Sequence, residues 1–242
     1  MKTLKFLTAF STLFMVAFSP ASAIAQDQPV DPLPAQVTDF ATSEAPDDHT
    51  LGSEDAAITM IVWASVTCPH CANWFANDWP IVKRDLVETG KMRFIFREFP
   101  TSPPQLSMTG FRMAECAPTE DFMSIIEHQM ENQDEIFAAA REGRGPEVYT
   151  EIAKLAGMES SDAINTCFRN PDITSHIVVN SDRAKLAEIK GVPAFLINGE
   201  TYTGALDAKS LVTLISDMDK KGLSSLPKDI KPVKKHSGHN HD

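Results

Sequence analysis

The feature that most constrains this chain is a pair of cysteines, Cys68 and Cys71, between a predicted strand and a predicted helix. Residues 57–64 (AITMIVWA) form a continuous apolar run, which is typical of a buried central strand. After the cysteines, apolar residues recur every three or four positions and mark one face of a helix: Phe75, Trp79, Val82 and Leu86. Residues 92–99 (MRFIFREF) alternate well enough for a second strand. This order of elements predicts a βαβ unit and therefore a parallel sheet.

The rest of the chain predicts a helical block followed by more strands. Little strand pattern is present between about residues 105 and 180, where we expect four or five short helices. Strand signals return at residues 192–198, and the hairpin-turn dipeptide Asn198-Gly199 lets residues 200–204 pair back antiparallel. The predicted fold class is therefore α/β with an inserted helical domain.

Both ends of the chain carry segments that we set apart from this fold. Residues 1–25 combine two lysines with a short apolar stretch and small-x-small sites, which is typical of a cleaved secretory signal. The alternative is an uncleaved membrane anchor. Residues 26–50 lack periodicity and predict a flexible leader, and the Lys- and His-rich residues 223–242 predict a disordered tail.

The charge balance excludes one large class of partners. The chain has 33 acidic and 22 basic side chains and a net charge of −11, which becomes more negative when the signal and its two lysines are removed. Nucleic-acid binding needs a basic face, so we expect no nucleic-acid partner. Export would also place the cysteines in a compartment where disulfides persist.

The spacing of Cys68 and Cys71 favours redox chemistry. At the start of a helix, unpaired N–H groups and the helix dipole stabilise the thiolate of Cys68. Pro69 suits the first helical turn, and His70 adds a possible cation beside the sulfur. A stabilised thiolate stabilises the reduced form, so the disulfide becomes a strong oxidant.

Other interpretations of the cysteine pair have less support. Structural zinc usually needs a second ligand pair at short spacing, and haem attachment needs a histidine where Ala72 stands. A purely structural disulfide in so tight a ring is the remaining alternative. Later in the chain, Pro193 opens a predicted strand, where a cis peptide after Val192 would expose backbone to an extended substrate. An ordinary trans proline is the alternative there.

The chain resembles the DsbA family of the thioredoxin superfamily, and particularly its alphaproteobacterial branch, over roughly residues 50–220. The matching segments are residues 68–71 (CPHC), 96–100 (FREFP), the helical insertion, 191–193 (GVP) and 195–199 (FLING). The resemblance implies a thioredoxin-like fold whose first part is residues 51–104, whose helical insertion is 105–179 and whose second part is 180–222.

The resemblance also implies an activity, the introduction of disulfide bonds into reduced exported proteins in the periplasm. Cys68 would be the attacking sulfur and Cys71 the buried resolving sulfur, while His70 would tune the reduction potential. Val192 and Pro193 would form a cis-proline loop facing the pair. The resemblance further implies that the protein needs no cofactor, that it is a monomer, and that a membrane oxidase of DsbB type regenerates its disulfide. Val62 departs from the pattern, because many relatives place an acidic residue there.

Rival functions are a disulfide isomerase or reductase, and a non-catalytic metal-binding or chaperone-like protein. Val192 argues against an isomerase, since a threonine before the cis-proline would have favoured one.

The remaining cysteines and histidines receive separate predictions. In an oxidising compartment the even cysteine count predicts a structural disulfide between Cys116 and Cys167, with two free thiols or a regulatory disulfide as alternatives. The tail histidines are interpreted as solvated, with metal capture as the alternative; they are His236, His239 and His241. We expect His49, His128 and His176 to be exposed or satisfied by hydrogen bonds, and Arg97 and Glu98 to form a solvated strand end or an internal ion pair.

Overall fold

The computed structural model describes residues 35–228 and residue 230. Its sheet has five strands in the order β1-β3-β2-β4-β5. The strands are β1 (His49–Leu51), β2 (Thr59–Ala64), β3 (Arg93–Glu98), β4 (Ala194–Ile197) and β5 (Glu200–Tyr202). Strands β2 and β3 are parallel, and the other neighbouring pairs are antiparallel. The predicted βαβ unit, hairpin and fold class are confirmed.

Helices flank this sheet, and most of them lie between β3 and β4. The first are α1 (Ala35–Thr42), α2 (Pro69–Asn77) and α3 (Trp79–Val82), which continues as a π-helical turn over Lys83–Val87. Between the strands lie α4 (Pro104–Glu115), α5 (Phe122–Glu131), α6 (Gln133–Arg141), α7 (Gly145–Leu155), α8 (Ser161–Phe168) and α9 (Pro171–Leu186), with a 3-10 turn at Thr119–Asp121. Helix α10 (Ala208–Lys221) follows the sheet. Within the described residues, no helix has the length and apolar character needed to span a membrane.

The central strand β2 is buried on both faces, which explains its continuous apolar sequence. Met60, Val62 and Ala64 face the larger core, together with helices α2 and α10. Ile61 and Trp63 face a smaller core, which Ala184 of α9 helps to cover. Two buried faces leave no position on the strand for a solvated side chain, so polar alternation is absent.

The expectation of a flexible leader over residues 26–50 is wrong for the part that the structure describes. Residues 35–42 form α1, and His49–Leu51 form β1, which pairs with β3. Arg97 of β3 holds this segment, because its guanidinium donates to the carbonyls of Ala41 and Ser43 and to the carboxylate of Asp48. Residues 26–34 and the proposed signal lie outside the described residues.

The helical block is larger than expected, since six α-helices rather than four or five lie between residues 104 and 186. Helix α9 also runs through the boundary placed at residue 180. Its buried face includes Asn180 and Arg183 beside Ile173 and Ile177, so apolar periodicity does not reveal it.

The prediction of a disordered tail over residues 223–242 is wrong for the part that the structure describes. Asn198 donates a hydrogen bond to the carbonyl of Ser224 at 3.1 Å, and Leu226 and Ile230 pack against the core. Residues 229 and 231–242, including the three tail histidines, lie outside the described residues.

Candidate active site

Cys68 lies at the point where the chain turns from strand β2 into helix α2. It is the N-cap residue of that helix, and Pro69 occupies the first helical position, where a backbone N–H is not needed. Cys68 is 9% exposed and Cys71 is fully buried, while Pro69 and His70 are exposed. The turn therefore presents one sulfur near the surface and keeps the other inside.

The three residues before Cys68 are fixed by polar contacts that sequence reasoning missed. The hydroxyls of Ser65 and Thr67 both bond to the hydroxyl of Thr101, at 2.9 and 2.8 Å. Gln133 of α6 donates to the carbonyl of Val66 at 2.8 Å. Helix α6 thus holds the active-site turn directly. The available sequence signal was two hydroxyl residues directly after a buried apolar strand.

The peptide bond between Val192 and Pro193 is cis, and it faces the cysteines. The Cys68 sulfur lies 3.4 Å from the carbonyl oxygen of Val192, to which it donates a hydrogen bond when it is protonated. Strand β4 pairs with β2 directly after this loop, with Ala194 opposite Trp63, so sheet register brings the two motifs together. A second cis bond, between Ser102 and Pro103, was not anticipated.

The two sulfurs have opposite acidities. The Cys71 thiol, by donating a hydrogen bond to the Cys68 sulfur, lowers the pKa of Cys68 to about 6 against the opposing effect of burial. The backbone N–H groups of Cys71 and His70, and the charge of His70, act in the same direction. Burial, and then the neighbouring Cys68, raise the pKa of Cys71 well above its ordinary value. Cys68 is therefore a thiolate at neutral pH, and Cys71 keeps its proton.

We predict that alkylation of the reduced protein by iodoacetamide will follow a single titration with a midpoint near pH 6, because only the thiolate reacts. The measurement is the alkylation rate between pH 4 and 10, with the modified residue identified by mass spectrometry. An unfolded sample should titrate near the ordinary thiol pKa of about 8.5. The same midpoint in folded and unfolded protein would contradict the prediction.

Val62, where many relatives would carry an acid, lies in apolar surroundings. It is fully buried and stands in register with Phe96 on one side and Phe195 on the other. The Cys71 sulfur accepts a hydrogen bond from the backbone N–H of Ser65, with an N–Sγ distance of 3.5 Å.

Cys116 and Cys167 form a disulfide, with Cα atoms 5.9 Å apart. Cys116 is the C-cap residue that follows α4 and Cys167 lies in α8, so the bond connects two helices of the insertion. It is separate from the Cys68–Cys71 pair, and a role in stability remains our proposal for it.

We predict that the Cys116→Ala/Cys167→Ala double variant will be less stable by about 4 kcal/mol. The bond closes a loop between residues that are 51 positions apart, and this loop lowers the conformational entropy of the unfolded chain. Without the bond the unfolded chain has more entropy, so unfolding costs less free energy. Urea unfolding of the variant and wild type under non-reducing conditions measures the difference. Equal unfolding midpoints, or loss of Cys68 alkylation in the folded variant, would count against a purely stabilising role.

A second group of titratable side chains was not foreseen. His49, Glu98, Glu115 and His176, here called the His–Glu cluster, offer ligand atoms that all lie within 4.8 Å of one another. Burial and the neighbouring Glu115 carboxyl raise the pKa of Glu98 well above its ordinary value. The interpretation of Glu98 as a solvated strand end or as the partner of Arg97 is wrong, because Arg97 pairs with Asp48.

Comparisons with known proteins agree with this geometry. A family model described as Thioredoxin matches residues 44–217. A Rickettsia conorii protein, named as a candidate protein-disulfide oxidoreductase, is 26% identical over 69% of this chain and 59% of its own length. The crystal structure of alpha-DsbA1 from Wolbachia pipientis is 26% identical, with a TM-score of 0.65 over 74% of this chain and 94% of that one.

A third similar protein supports the fold alone. The crystal structure of a protein-disulfide isomerase from Novosphingobium aromaticivorans is 21% identical, with a TM-score of 0.59, and covers 71% of this chain and 97% of the other.

The present chain matches only 55–65% of the length of the five Rickettsia relatives.

Proposed function

Since the chain belongs to the DsbA family of thioredoxin-fold proteins, we propose that it is an exported thiol:disulfide oxidoreductase that introduces disulfide bonds into other exported proteins. The observation that carries the proposal is the Cys68 sulfur, whose pKa is lowered to about 6 beside a buried Cys71. A stabilised thiolate favours the reduced enzyme, so the oxidised enzyme passes its disulfide to a substrate.

The reaction follows from the two acidities. A substrate thiolate attacks Sγ of Cys68 in the oxidised enzyme, the Cys68–Cys71 bond breaks, and the Cys71 sulfur leaves with the electron pair. Because the pKa of Cys71 is high, this sulfur takes up a proton at once. A second substrate thiolate then attacks the substrate sulfur of the mixed disulfide and releases the Cys68 thiolate. Two electrons pass from the substrate to the cysteine pair.

The surrounding residues receive roles in this scheme. Val192 and Pro193 would align an extended substrate segment, because their backbone faces Cys68 and is not used by a strand pair at that point. Pro69 sets the first turn of α2, and His70 stabilises the thiolate by its charge and its backbone N–H. No cofactor enters the exchange.

The cycle requires an oxidant that removes two electrons from the reduced pair. A membrane oxidase of DsbB type would accept these electrons, and the present protein would act in the periplasm as a monomer. The strongly negative charge suits a protein that acts on unfolded exported chains in solution better than one that binds anionic membranes.

The test compares two substrates that separate oxidase from isomerase activity. The oxidised protein is mixed with reduced, unfolded ribonuclease, and separately the reduced protein is mixed with scrambled ribonuclease. We expect stoichiometric disulfide formation in the first mixture and little recovery of ribonuclease activity in the second. Good repair of scrambled ribonuclease without disulfide formation would identify an isomerase instead. Inactivity in both mixtures would refute the proposed exchange chemistry.

A further inference from the structure

The His–Glu cluster lies where the helical insertion meets the sheet. His49 belongs to β1 and Glu98 ends β3, while Glu115 ends α4 and His176 lies in α9. Four separate elements therefore bring one nitrogen or oxygen donor each to one place. The proposed disulfide exchange uses none of these side chains.

The donors already converge on one atom. Oε1 of Glu115 lies 2.8 Å from Nε2 of His49 and 2.8 Å from Nδ1 of His176. Oε1 of Glu98 lies 3.9 Å from the same Nδ1 of His176. A tetrahedral metal ion with bonds of about 2.0 Å holds its ligand atoms about 3.3 Å apart. The separations in the cluster lie on either side of this value.

Glu98 is the second observation that points to a bound ion. Its side chain is fully buried, and among the described residues no N–H group donates to its Oε1. Its other oxygen accepts from the side-chain amide of Asn180, which fixes the carboxyl with Oε1 directed into the cluster. Two buried carboxyls side by side repel each other unless a proton or a cation lies between them.

The surroundings match those of protein metal sites. Oδ2 of Asp47 lies 3.6 Å from Nε2 of His176, so a carboxylate stands behind the ring on the side away from the cluster. The ring of His49 stacks on Phe122, with centroids 3.4 Å apart, which holds its orientation. A surface cavity of about 430 Å³, lined by Asp47, His49, Glu115 and His176, gives an ion a route from solvent.

We propose that His49, Glu98, Glu115 and His176 bind one Zn²⁺ ion. Two imidazole nitrogens and two carboxylate oxygens suit zinc, whereas calcium and magnesium prefer oxygen ligands alone. Four protein ligands close the coordination sphere, which is typical of a structural site. The ion would connect α4 and α9 to the neighbouring strands β1 and β3.

The test uses the full chain with two competing sites removed. The tail histidines are replaced (His236→Ala, His239→Ala, His241→Ala), and the Cys68–Cys71 pair is kept oxidised so that its sulfurs bind no metal. Zn²⁺ is titrated in competition with a chromophoric chelator, and Co²⁺ is used to read the geometry from its absorption spectrum. We expect one Zn²⁺ per chain, a tetrahedral Co²⁺ spectrum, and a higher Tm with Zn²⁺.

Two variants and a control separate a metal site from a proton-sharing cluster. Glu98→Gln keeps the shape of the carboxyl and the contact with Asn180 but removes the anionic ligand, so affinity should fall at least tenfold. His49→Gln should have the same effect, and His128→Gln, which replaces a histidine outside the cluster, should have none. Absence of stoichiometric Zn²⁺ binding to the tail-substituted chain, or unchanged affinity in folded Glu98→Gln, would overturn the proposal.

Discussion

Replacing Cys68 with serine will abolish the reaction of the reduced protein with a disulfide completely, whereas replacing Cys71 with serine will stop that reaction at a mixed disulfide. The difference follows from their positions. Cys68 lies at the N-cap of α2 beside the exposed residues Pro69 and His70, and Cys71 is fully buried behind it. Only the first sulfur can meet a substrate, and only the second can release it by attack from within the enzyme.

The experiment incubates each reduced variant with a peptide that contains a disulfide and analyses the products by non-reducing electrophoresis and mass spectrometry. The Cys71→Ser variant should accumulate a covalent adduct through Cys68, because no internal thiol resolves it. The Cys68→Ser variant should form no adduct and should show only the uncatalysed rate of exchange. Adducts in the Cys68→Ser variant, with none in Cys71→Ser, would reverse the assignment of roles.

Replacing Arg97 with methionine will lower the free energy of unfolding by about 3–5 kcal/mol, the largest stability effect we expect from a single substitution. The side chains of Arg97 and Asp48 are both fully buried, and they form a bidentate ion pair in which both N–O distances are 2.8 Å. Removing the cation leaves a buried carboxylate without its main partner, which is the costly way to break such a pair. The carbonyls of Ala41 and Ser43 also lose their donor.

Urea unfolding measures this effect, and two further variants make the measurement specific. The same substitution at Arg84, whose pair with Asp85 is exposed, should leave the unfolding midpoint unchanged. Asp48→Leu combined with Arg97→Met should recover part of the loss, since it removes the buried carboxylate that has lost its main partner. An Arg97→Met variant as stable as wild type would show that the N-terminal segment does not depend on this contact.

Sequence reasoning predicted the elements whose surroundings are uniform. The apolar run of β2 and the alternation of β3 predicted both strands, and the CPHC segment marked the turn between β2 and α2. These features are local, because a buried strand must be apolar and a helix start must accommodate Pro69.

The failures of sequence reasoning concern polar residues that are buried by tertiary contacts. Arg97 and Glu98 lie at the end of a strand, where charge ordinarily indicates solvent, yet both are fully buried. Their partners lie far away in the chain, with Asp48 before the sheet and His176 in α9. Composition cannot distinguish Asp48 of an apparent leader from a solvated aspartate, because only the folded chain brings Arg97 to it.

The central claim is that a stabilised Cys68 thiolate makes the cysteine pair an oxidant, and the pH dependence of its reduction potential against glutathione tests it most directly. Below the pKa of Cys68, reduction takes up two protons, and the potential falls by about 59 mV per pH unit. Above that pKa only Cys71 takes up a proton, and the slope becomes about 30 mV per pH unit. We predict that the slope changes near pH 6, with a potential at pH 7 more positive than the −270 mV of thioredoxin. A slope of about 59 mV that continues to pH 8.5, or a potential as negative as that of thioredoxin, would contradict the account.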